Sequence, residues 1–539
     1  MSCGFQYLVG LRAFTILTGL QLMKGIRTIP VIDLFAGPGG LAEGFTSFSG
    51  SERTGFDVRL SIEKDPVACE TLRLRKFFHA FEEPPHEYFS FTKGELSAEQ
   101  LFAHYPDAAK LASHAVWQAE LGKASQAKVN ERVREALGNA KAWVLVGGPP
   151  CQAYSIVGRS RMRTTHKNFE ADERHFLYRE YLRIVAHHAP PVFVMENVKG
   201  LLSATHGGEK IFQRILDDLA APGKALRIEG ALALKYRLHA LAPSNGNLLS
   251  MSGLHCSPED FLLKAEQHGI PQTRHRVFIM GIREDIDASP HPMELQSTVD
   301  AFHVLDDLPP IRSRLSREKD SGEAWVDAVR RIEAQRWYSS GADKWAAVSR
   351  EIKRVLRTIT NSSLTAGAAY MPHTDRPSKL AKWYRAGMKG LVQHESRSHM
   401  RDDLHRYLFS AAFARVNDVS PRLRDFPAEL LPAHQNVGEA ITGSMFNDRF
   451  RVQVPDRPAT TITSHISKDG HYFIHYAPEQ CRSFTVREAA RIQTFPDSYF
   501  FHGNRTQQFH QVGNAVPPLL AATIAEATHE LMRRWIKNG

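Results

Sequence analysis

Cysteine is scarce in this chain, with five among 539 residues. Cys3, Cys69, Cys151, Cys256 and Cys481 are scattered and form no CxxC pair, which argues against a disulfide framework and a cysteine-based zinc site. No metal is expected, and a reducing compartment fits best. Long apolar runs are missing too. The most apolar stretch, FQYLVGLRAFTILTGLQLM, is interrupted by Arg12, follows no basic segment and offers no unbroken run long enough to span a bilayer. Residues 1–28 read as an untranslated or disordered extension, and Met23 competes with Met1 as the start because MKGIRTIPVIDLF runs straight into a strand. There is no internal repeat and no long low-complexity segment, which removes solenoids and fibrous folds. Acidic residues are fewer than basic ones, 58 against 68, and the formal net charge of +10 favours a polyanionic partner.

What is present is an ordinary globular composition, 42% hydrophobic and 23% charged, in a chain long enough for two domains or three. Apolar runs of strand length recur at PVIDLFAG, VRLSIEKD, AWVLVGG, PVFVMENV and RVFIMGI, with helical sequence such as PVACETLRLRKFF among them. Strands alternating with helices predict a largely parallel sheet covered on both faces. Residues 82–140 are polar and helical in pattern and read as an insertion before the next strand. From about 290 to 450 the alternation gives way to Arg- and Ser-rich helix and loop. It resumes at ATTIT and HYFIHY, before an amphipathic helix, PPLLAATIAEATHELMRRW.

Four blocks carry chemistry. DLFAGPGG, Asp33 to Gly40, is a strand that breaks into a glycine turn before a helix. Glycine lets the backbone approach a ligand, and a helix N-terminus favours polar or anionic groups. Glu63 lies 23 residues beyond Gly40 at the end of the next strand, where a carboxylate can accept both ribose hydroxyls of a nucleoside. The Gly-x-Gly-Gly spacing departs from the dinucleotide fingerprint and suits a smaller adenosyl ligand; a plain tight turn is the alternative. VLVGGPPCQAYS, residues 144–155, puts Cys151 behind Pro149 and Pro150, whose fixed backbone presents the sulfur as a nucleophile. A buried, inert cysteine is the bland reading of that block. FVMENVKGLL sets Glu196 and Asn197 at another strand end, where ligands of parallel sheets gather. A carboxyl in that apolar context can serve as a proton donor, or be no more than a cap or an ion-pair member. QTRHRVFIMGI supplies Gln272, Arg274 and Arg276 in alternation, so the two guanidinium groups are expected on one face, at a ligand or at a solvated edge.

In this order, and with RPATTIT and QVGNAVPP completing the set, these blocks resemble the DNA cytosine-5 methyltransferases from about residue 29 to the C-terminus. The resemblance implies an α/β fold: a Rossmann-like S-adenosylmethionine-dependent methyltransferase domain with a mostly parallel sheet, plus a smaller inserted target-recognition domain. The catalytic part would cover 29–290, with its insertion at 82–140, and 451–539; recognition would fall to 291–450. The implied cofactor is S-adenosyl-L-methionine, held by Asp33, Phe35, Gly37, Gly39 and Gly40, with Phe35 against adenine and Glu63 on the ribose. Pro150, Asn514 and Val516 would complete that site. Cys151 would attack carbon 6 of a flipped cytosine, Glu196 would serve ring nitrogen 3, and Arg276 the 2-carbonyl, with Arg274 and Gln152 beside them. Arg159, Arg161 and Arg163 of SIVGRSRMRTTHK match the family's catalytic loop over the DNA. Two departures stand out. The Asp that contacts adenine near the third strand has no clear counterpart, Glu95 of KGELS being the candidate. Lys64 follows Glu63 where many relatives carry an apolar or aromatic residue.

Residues 341–400 hold 11 Lys and Arg against 4 Asp and Glu, interleaved with Trp345, Tyr370, Trp383 and Tyr384, a composition suited to a nucleic-acid-facing surface. Lys379, Lys382, Arg385 and Lys389 are the expected DNA contacts; such charge positions phosphates without specifying sequence. The implied substrate is double-stranded DNA. The implied setting is a bacterial, cytoplasmic methylase of restriction-modification or phage defence, acting as a monomer, with a cognate restriction or defence protein as its candidate partner. A tRNA cytosine-5 methyltransferase is the alternative enzyme and a catalytically silent DNA-binding regulator the non-enzymatic one. Intact Cys151, Glu196 and Arg276 weigh against the latter.

Overall fold

The main sheet is built from β1 (Arg27–Leu34), β2 (Thr54–Glu63), β3 (Val116–Gln118), β4 (Val144–Gly147), β5 (Val192–Val198), β6 (Tyr236–His239) and β7 (His275–Arg283). These belong to a computed structural model that describes residues 27–48, 54–150, 177–206, 209–242, 257–339, 343–359, 364–376, 378–432, 448–468 and 470–538. The N-terminal extension up to residue 26, with Met23, lies outside the described residues. The spatial order is β3-β2-β1-β4-β5-β7-β6, with Leu262–Lys264 pairing as an eighth strand on β7. β1 to β5 pair in parallel, as expected, while β7 runs antiparallel to both its neighbours.

Helices α1 (Gly40–Ser47), α2 (Pro66–Phe78), α3 (Gln126–Leu137), α4 (Leu177–His188) and α5 (Ile211–Ala220) follow the strands in turn. The period of two along each strand sends alternate side chains into two different cores. Leu145 joins Ile32, Phe193 and Ile279 under α3, α4 and α5, whereas Val144 and Val146 join Val31, Val194 and Met280 on the opposite side. β4 is buried along its whole length, which is why its sequence reads as an unbroken apolar run. Each such side chain contributes about 1.5–3 kcal/mol through burial.

β3 sits inside the stretch that reads as a polar insertion. Its three residues are too few to display a period of two, so the pattern hides it. Three short helices ahead of it, His86–Thr92, Ala98–His104 and Pro106–Ala115, bury an aromatic cluster with Phe77 and Phe78 of α2.

The second lobe has its own cores. One joins α6 (Ala346–Thr358) and α7 (Arg401–Asn417) around Trp325, Trp337 and Phe409. Another joins Val299, Val304, Tyr384 and Leu391 to α8 (Val486–Ile492) and α9 (Arg505–Asn514). Core residues from Ala459 to Ala515 thus pack with the second lobe, Ser498, Phe500, His502 and Gln511 also meet α2 and the helices beside it, and Val516 and α10 (Pro518–Asn538) pack on the sheet. α10 crosses α1 very closely: a Cβ on Gly44 would lie 2.4 Å from both Ala521 Cβ and Pro518 O. Among the described residues, no helix is long and apolar enough to cross a membrane, and no group of three or more His, Cys, Asp or Glu is disposed to hold a metal.

Candidate active site

The carboxyl ends of β1 to β5 open on one edge, and the strand order reverses between β1 and β4, where sheets of this kind bind their ligands. Because β7 is antiparallel, its first residues reach the same edge, and Arg276 arrives beside the end of β5. The glycine turn after β1 needs left-handed backbone: Phe35, Gly37 and Gly39 have φ of 55°, 56° and 95°. A Cβ on Gly39 would come within 2.6 Å of Leu72 Cδ2, and one on Gly40 within 2.0 Å of Val516 O. At Gly37 it would meet nothing within 4 Å among the described residues, so that face of the turn is open. Glu63 Oε2 accepts from Gly37 N at 2.8 Å, and Oε1 accepts from Lys64 N and Asp65 N, both at 2.9 Å. Beneath the turn Asp33 is fully buried, and neither of its oxygens has a partner among the described residues. Burial, then the charge of Glu63, pushes its carboxyl well above the usual range. Tyr499 from the second lobe donates its hydroxyl to Pro38 O.

Arg276 stands opposite Val198 in the ladder and Glu196 opposite Phe278, so the two are diagonal neighbours on one face. Arg276 Nε lies 3.1 Å from Glu196 Oε1. Burial raises the Glu196 carboxyl above its ordinary value, against the opposing pull of Arg276 and then Arg274. The same β5 end holds the turn after β4. Asn197 Nδ2 donates to Pro149 O at 3.3 Å, and a Cβ on Gly148 would stand 2.8 Å from Glu196 Oε2. Glycine at 148 therefore lets the carboxyl lie against the backbone that leads to Pro150. Cys151, Gln152, Arg159, Arg161 and Arg163 lie outside the described residues.

Arg274 does not share a face with Arg276. Gln272–Thr273 leaves the main sheet to pair with Ala459–Thr460, and the break before His275 ends the alternation. The Arg274 guanidinium is buried and donates to Ile462 O at 2.8 Å, Ala515 O at 2.8 Å and Gly513 O at 3.5 Å. Its burial and its neighbour Arg276 hold it well below the usual arginine range. Val516 lies against the glycine turn through its carbonyl, and Asn514, exposed at the end of α9, has its amide against the His510 ring. Glu95 does not reach the end of β3. It is exposed on the link after His86–Thr92, and the acid that follows β3 is Glu120. Ala119 N donates to Glu63 O at 2.8 Å, and Lys64 Nζ is 3.9 Å from Glu120 Oε1. No sequence signal marks Glu120, because β3 itself has none.

The basic segment divides. Lys379, Lys382 and Lys389 are exposed. Arg385 instead bonds Asp307 Oδ2 at 2.7 Å and Arg376 O at 3.0 Å, a strut within the lobe. The interleaved aromatics are largely anchors of the core: Tyr384 is fully buried with its hydroxyl on Arg491 O, Trp383 donates to Thr494 O, and Trp345 to Asp425 O. A large ring with one polar tip is satisfied by burying the body and bonding the tip, and composition alone does not separate that from base stacking.

Strand order, reversed β7, glycine turn and second lobe define a Rossmann-like methyltransferase-class α/β protein. The model of the C-5 cytosine-specific DNA methylase family matches residues 111–228 and 247–530. The chain belongs to that family. It is 30% identical over 528 residues to the type II methyltransferase M.Bpa9945I of Bacillus paralicheniformis, covering 93% of this chain and 99% of that one. It is 27% identical over 421 residues to the DNA (cytosine-5-)-methyltransferase M.ApeKI of Aeropyrum pernix, covering 74% and 83%. A prophage-encoded E. coli DNA modification methyltransferase has a similar fold, with a TM-score of 0.52 at 18% identity over 94% of this chain and all of that one. The reaction of this chain is methylation of cytosine at carbon 5 in DNA.

Proposed function

We propose that this chain methylates a specific duplex DNA sequence through a covalent cysteine adduct on a flipped cytosine, in a bacterial restriction-modification or defence setting. The observation that carries the reading is the Glu196–Arg276 pair at the edge of the sheet, tied through Asn197 to the turn that leads into Cys151. Cytosine is a poor electrophile at carbon 6. Glu196, kept toward its protonated form by burial, donates to ring nitrogen 3, and Arg276 donates to the 2-carbonyl oxygen. The Cys151 thiolate then bonds to carbon 6, and the ring's electron pair moves onto carbon 5. Loss of the carbon-5 proton later re-forms the double bond and expels the sulfur.

The methyl donor we assign is S-adenosylmethionine, which when bound supplies an electrophilic sulfonium methyl to carbon 5. The residues fit it. The turn face at Gly37 is open, Asp33 offers an unpartnered buried carboxyl, and Glu63 ends β2 with a carboxylate at the turn. Phe35, Gly39, Gly40, Pro150, Asn514 and Val516 would line it, and Glu120, two residues past Gln118, which pairs with Glu63, is the acid available to adenine. Lys379, Lys382 and Lys389 would track phosphates, as would Arg159, Arg161 and Arg163 beyond Cys151.

Tritiated methyl transfer to duplex DNA and to tRNA, followed by bisulfite sequencing of the DNA, tests this reading. Label entering DNA at one repeated sequence is the expected result. Label entering tRNA alone would overturn the substrate, and no label in either would overturn the enzyme.

A further inference from the structure

Four segments far apart in the chain meet at one buried point between the cofactor turn and the base-activating pair. Gln272, fully buried, donates from Nε2 to Ile492 O at 3.0 Å and to Gln493 Oε1, and accepts on Oε1 from Ile462 N at 3.1 Å. Gln493, also fully buried, donates to Val512 O at 2.9 Å and Ala515 O at 2.7 Å. Arg274 grips Ile462 O and Ala515 O at 2.8 Å each, with Gly513 O at 3.5 Å. The backbones are pressed together as well: a Cβ on Gly513 would stand 2.3 Å from Ser464 N and from Thr463 C.

The composition of this node is unusual. Among the described residues, all of Arg274's hydrogen bonds go to carbonyls and none to a carboxylate, so its guanidinium is buried beside Arg276 without an acid on its own fork. Desolvating a cation is costly. What a guanidinium offers in return is a rigid planar fork that fixes two carbonyls relative to each other, which a flexible lysine ammonium does not. The two carbonyls best held belong to different functional parts. Ile462 lies in the segment that roots the second lobe on Gln272–Thr273. Ala515 precedes Val516, whose carbonyl sets the position of Gly40 in the cofactor turn. Two residues along the chain from Arg274, Arg276 holds Glu196.

We propose that Arg274 and Gln493 are positioning residues that lock the cofactor loop 513–516 to the root of the second lobe, and so couple methyl-donor binding to DNA binding. Neither touches the base. The inference rests on the assignment of Asn514 and Val516 to the cofactor site and of the second lobe to DNA. Because coupling between two ligands is reciprocal, losing the node removes the same factor from each ligand's response to the other.

The test compares wild type, Arg274→Lys and Gln493→Met, each checked for folding by near-ultraviolet circular dichroism and thermal melting. Binding of S-adenosylhomocysteine is measured without and with target duplex, and duplex binding without and with S-adenosylhomocysteine. Wild type is expected to bind each ligand at least tenfold tighter in the presence of the other. Both variants should lose most of that factor, and Arg274→Lys should bind S-adenosylhomocysteine about tenfold more weakly, while duplex affinity without cofactor stays within twofold. A fall in melting temperature with the coupling intact would reduce the node to a structural role and overturn the proposal. A loss of turnover with both affinities and the coupling intact would make Arg274 a base contact and overturn it equally. Wild type without coupling also overturns it. Wild type that binds no S-adenosylhomocysteine, or transfers no methyl group to DNA, is a failure of the underlying function instead. Should Arg274→Lys not fold, Gln493→Met decides, since it preserves volume and removes only the amide's bonds.

Discussion

Glu196 carries two opposing influences: burial favours its neutral form, and Arg276 favours its charged one, with burial the stronger. A carboxyl raised in the folded state binds its proton more tightly there than in the unfolded chain. It contributes stability below the ordinary glutamate range and loses that contribution as pH rises through the raised value. In the proposed mechanism the protonated acid is the donor to ring nitrogen 3, so activity follows the same direction. Turnover should therefore fall as pH rises through that value. Glu196→Gln keeps the shape and the hydrogen-bond donor but not the transferable proton, so turnover should drop by roughly two to four orders of magnitude, the usual worth of general acid catalysis. The variant should also lose the descending limb of the pH–rate profile, with cofactor affinity barely changed. A rate within threefold of wild type would mean that another group activates the ring.

At the scale of elements, what was legible in the sequence was whatever a short segment must do by itself. The glycine turn needs positive φ at Gly37 and Gly39, the Gly147–Pro150 turn needs a small residue against Glu196, and both demands are written in adjacent residues. β1, β2, β4, β5 and β7 announce themselves as apolar runs for the same reason. What was not legible depends on partners far along the chain. Arg274 reads as half of an alternating pair until Gln272–Thr273 is seen to pair with Ala459–Thr460. Tyr384 and Trp383 read as a nucleic-acid surface until Arg491 O and Thr494 O, over a hundred residues on, are found at their polar tips. β3 is too short to read at all, so the acid that follows it, Glu120, carries no signal in the sequence. The helix Ala381–Tyr384 and its flanks show the consequence for prediction. Lys379, Lys382 and Lys389 replaced together by Gln should weaken binding to all duplexes alike and lower the salt slope by about one unit for each phosphate no longer neutralised. The methylated sequence should not change. Salt titrations of DNA affinity on matched and unrelated duplexes check this; an unchanged slope would mean that these lysines are only solvated. Arg385 is left out of that set because its guanidinium is committed to Asp307.

For the molecule as a whole, the cores divide between the sheet and a second lobe, a division that suits the proposed handling of a small cofactor and a large polymer. The sheet, covered by helices on both faces, ends in an edge that carries the glycine turn, the Glu196–Arg276 pair and the turn through Pro149, held by the Glu63 and Asn197 side chains and the ion pair itself. The second lobe has separate cores and a surface with exposed lysines, and it is rooted on that edge by Gln272, Arg274 and Gln493. Chemistry on a base inside a duplex requires the base to leave the stack, and in the proposed reading the strand edge receives it while the second lobe holds the remainder. The central claim is that a cysteine on that edge bonds to the base. It is tested most directly with a target duplex carrying 5-fluorocytosine and labelled S-adenosylmethionine, because fluorine at carbon 5 cannot leave as a proton does and the adduct cannot resolve. Wild type should give a complex resistant to SDS whose labelled peptide contains Cys151, and Cys151→Ala should give neither complex nor methyl transfer while still binding cofactor. A Cys151→Ala enzyme that turns over normally, or a trapped complex mapped to another residue, would contradict the account.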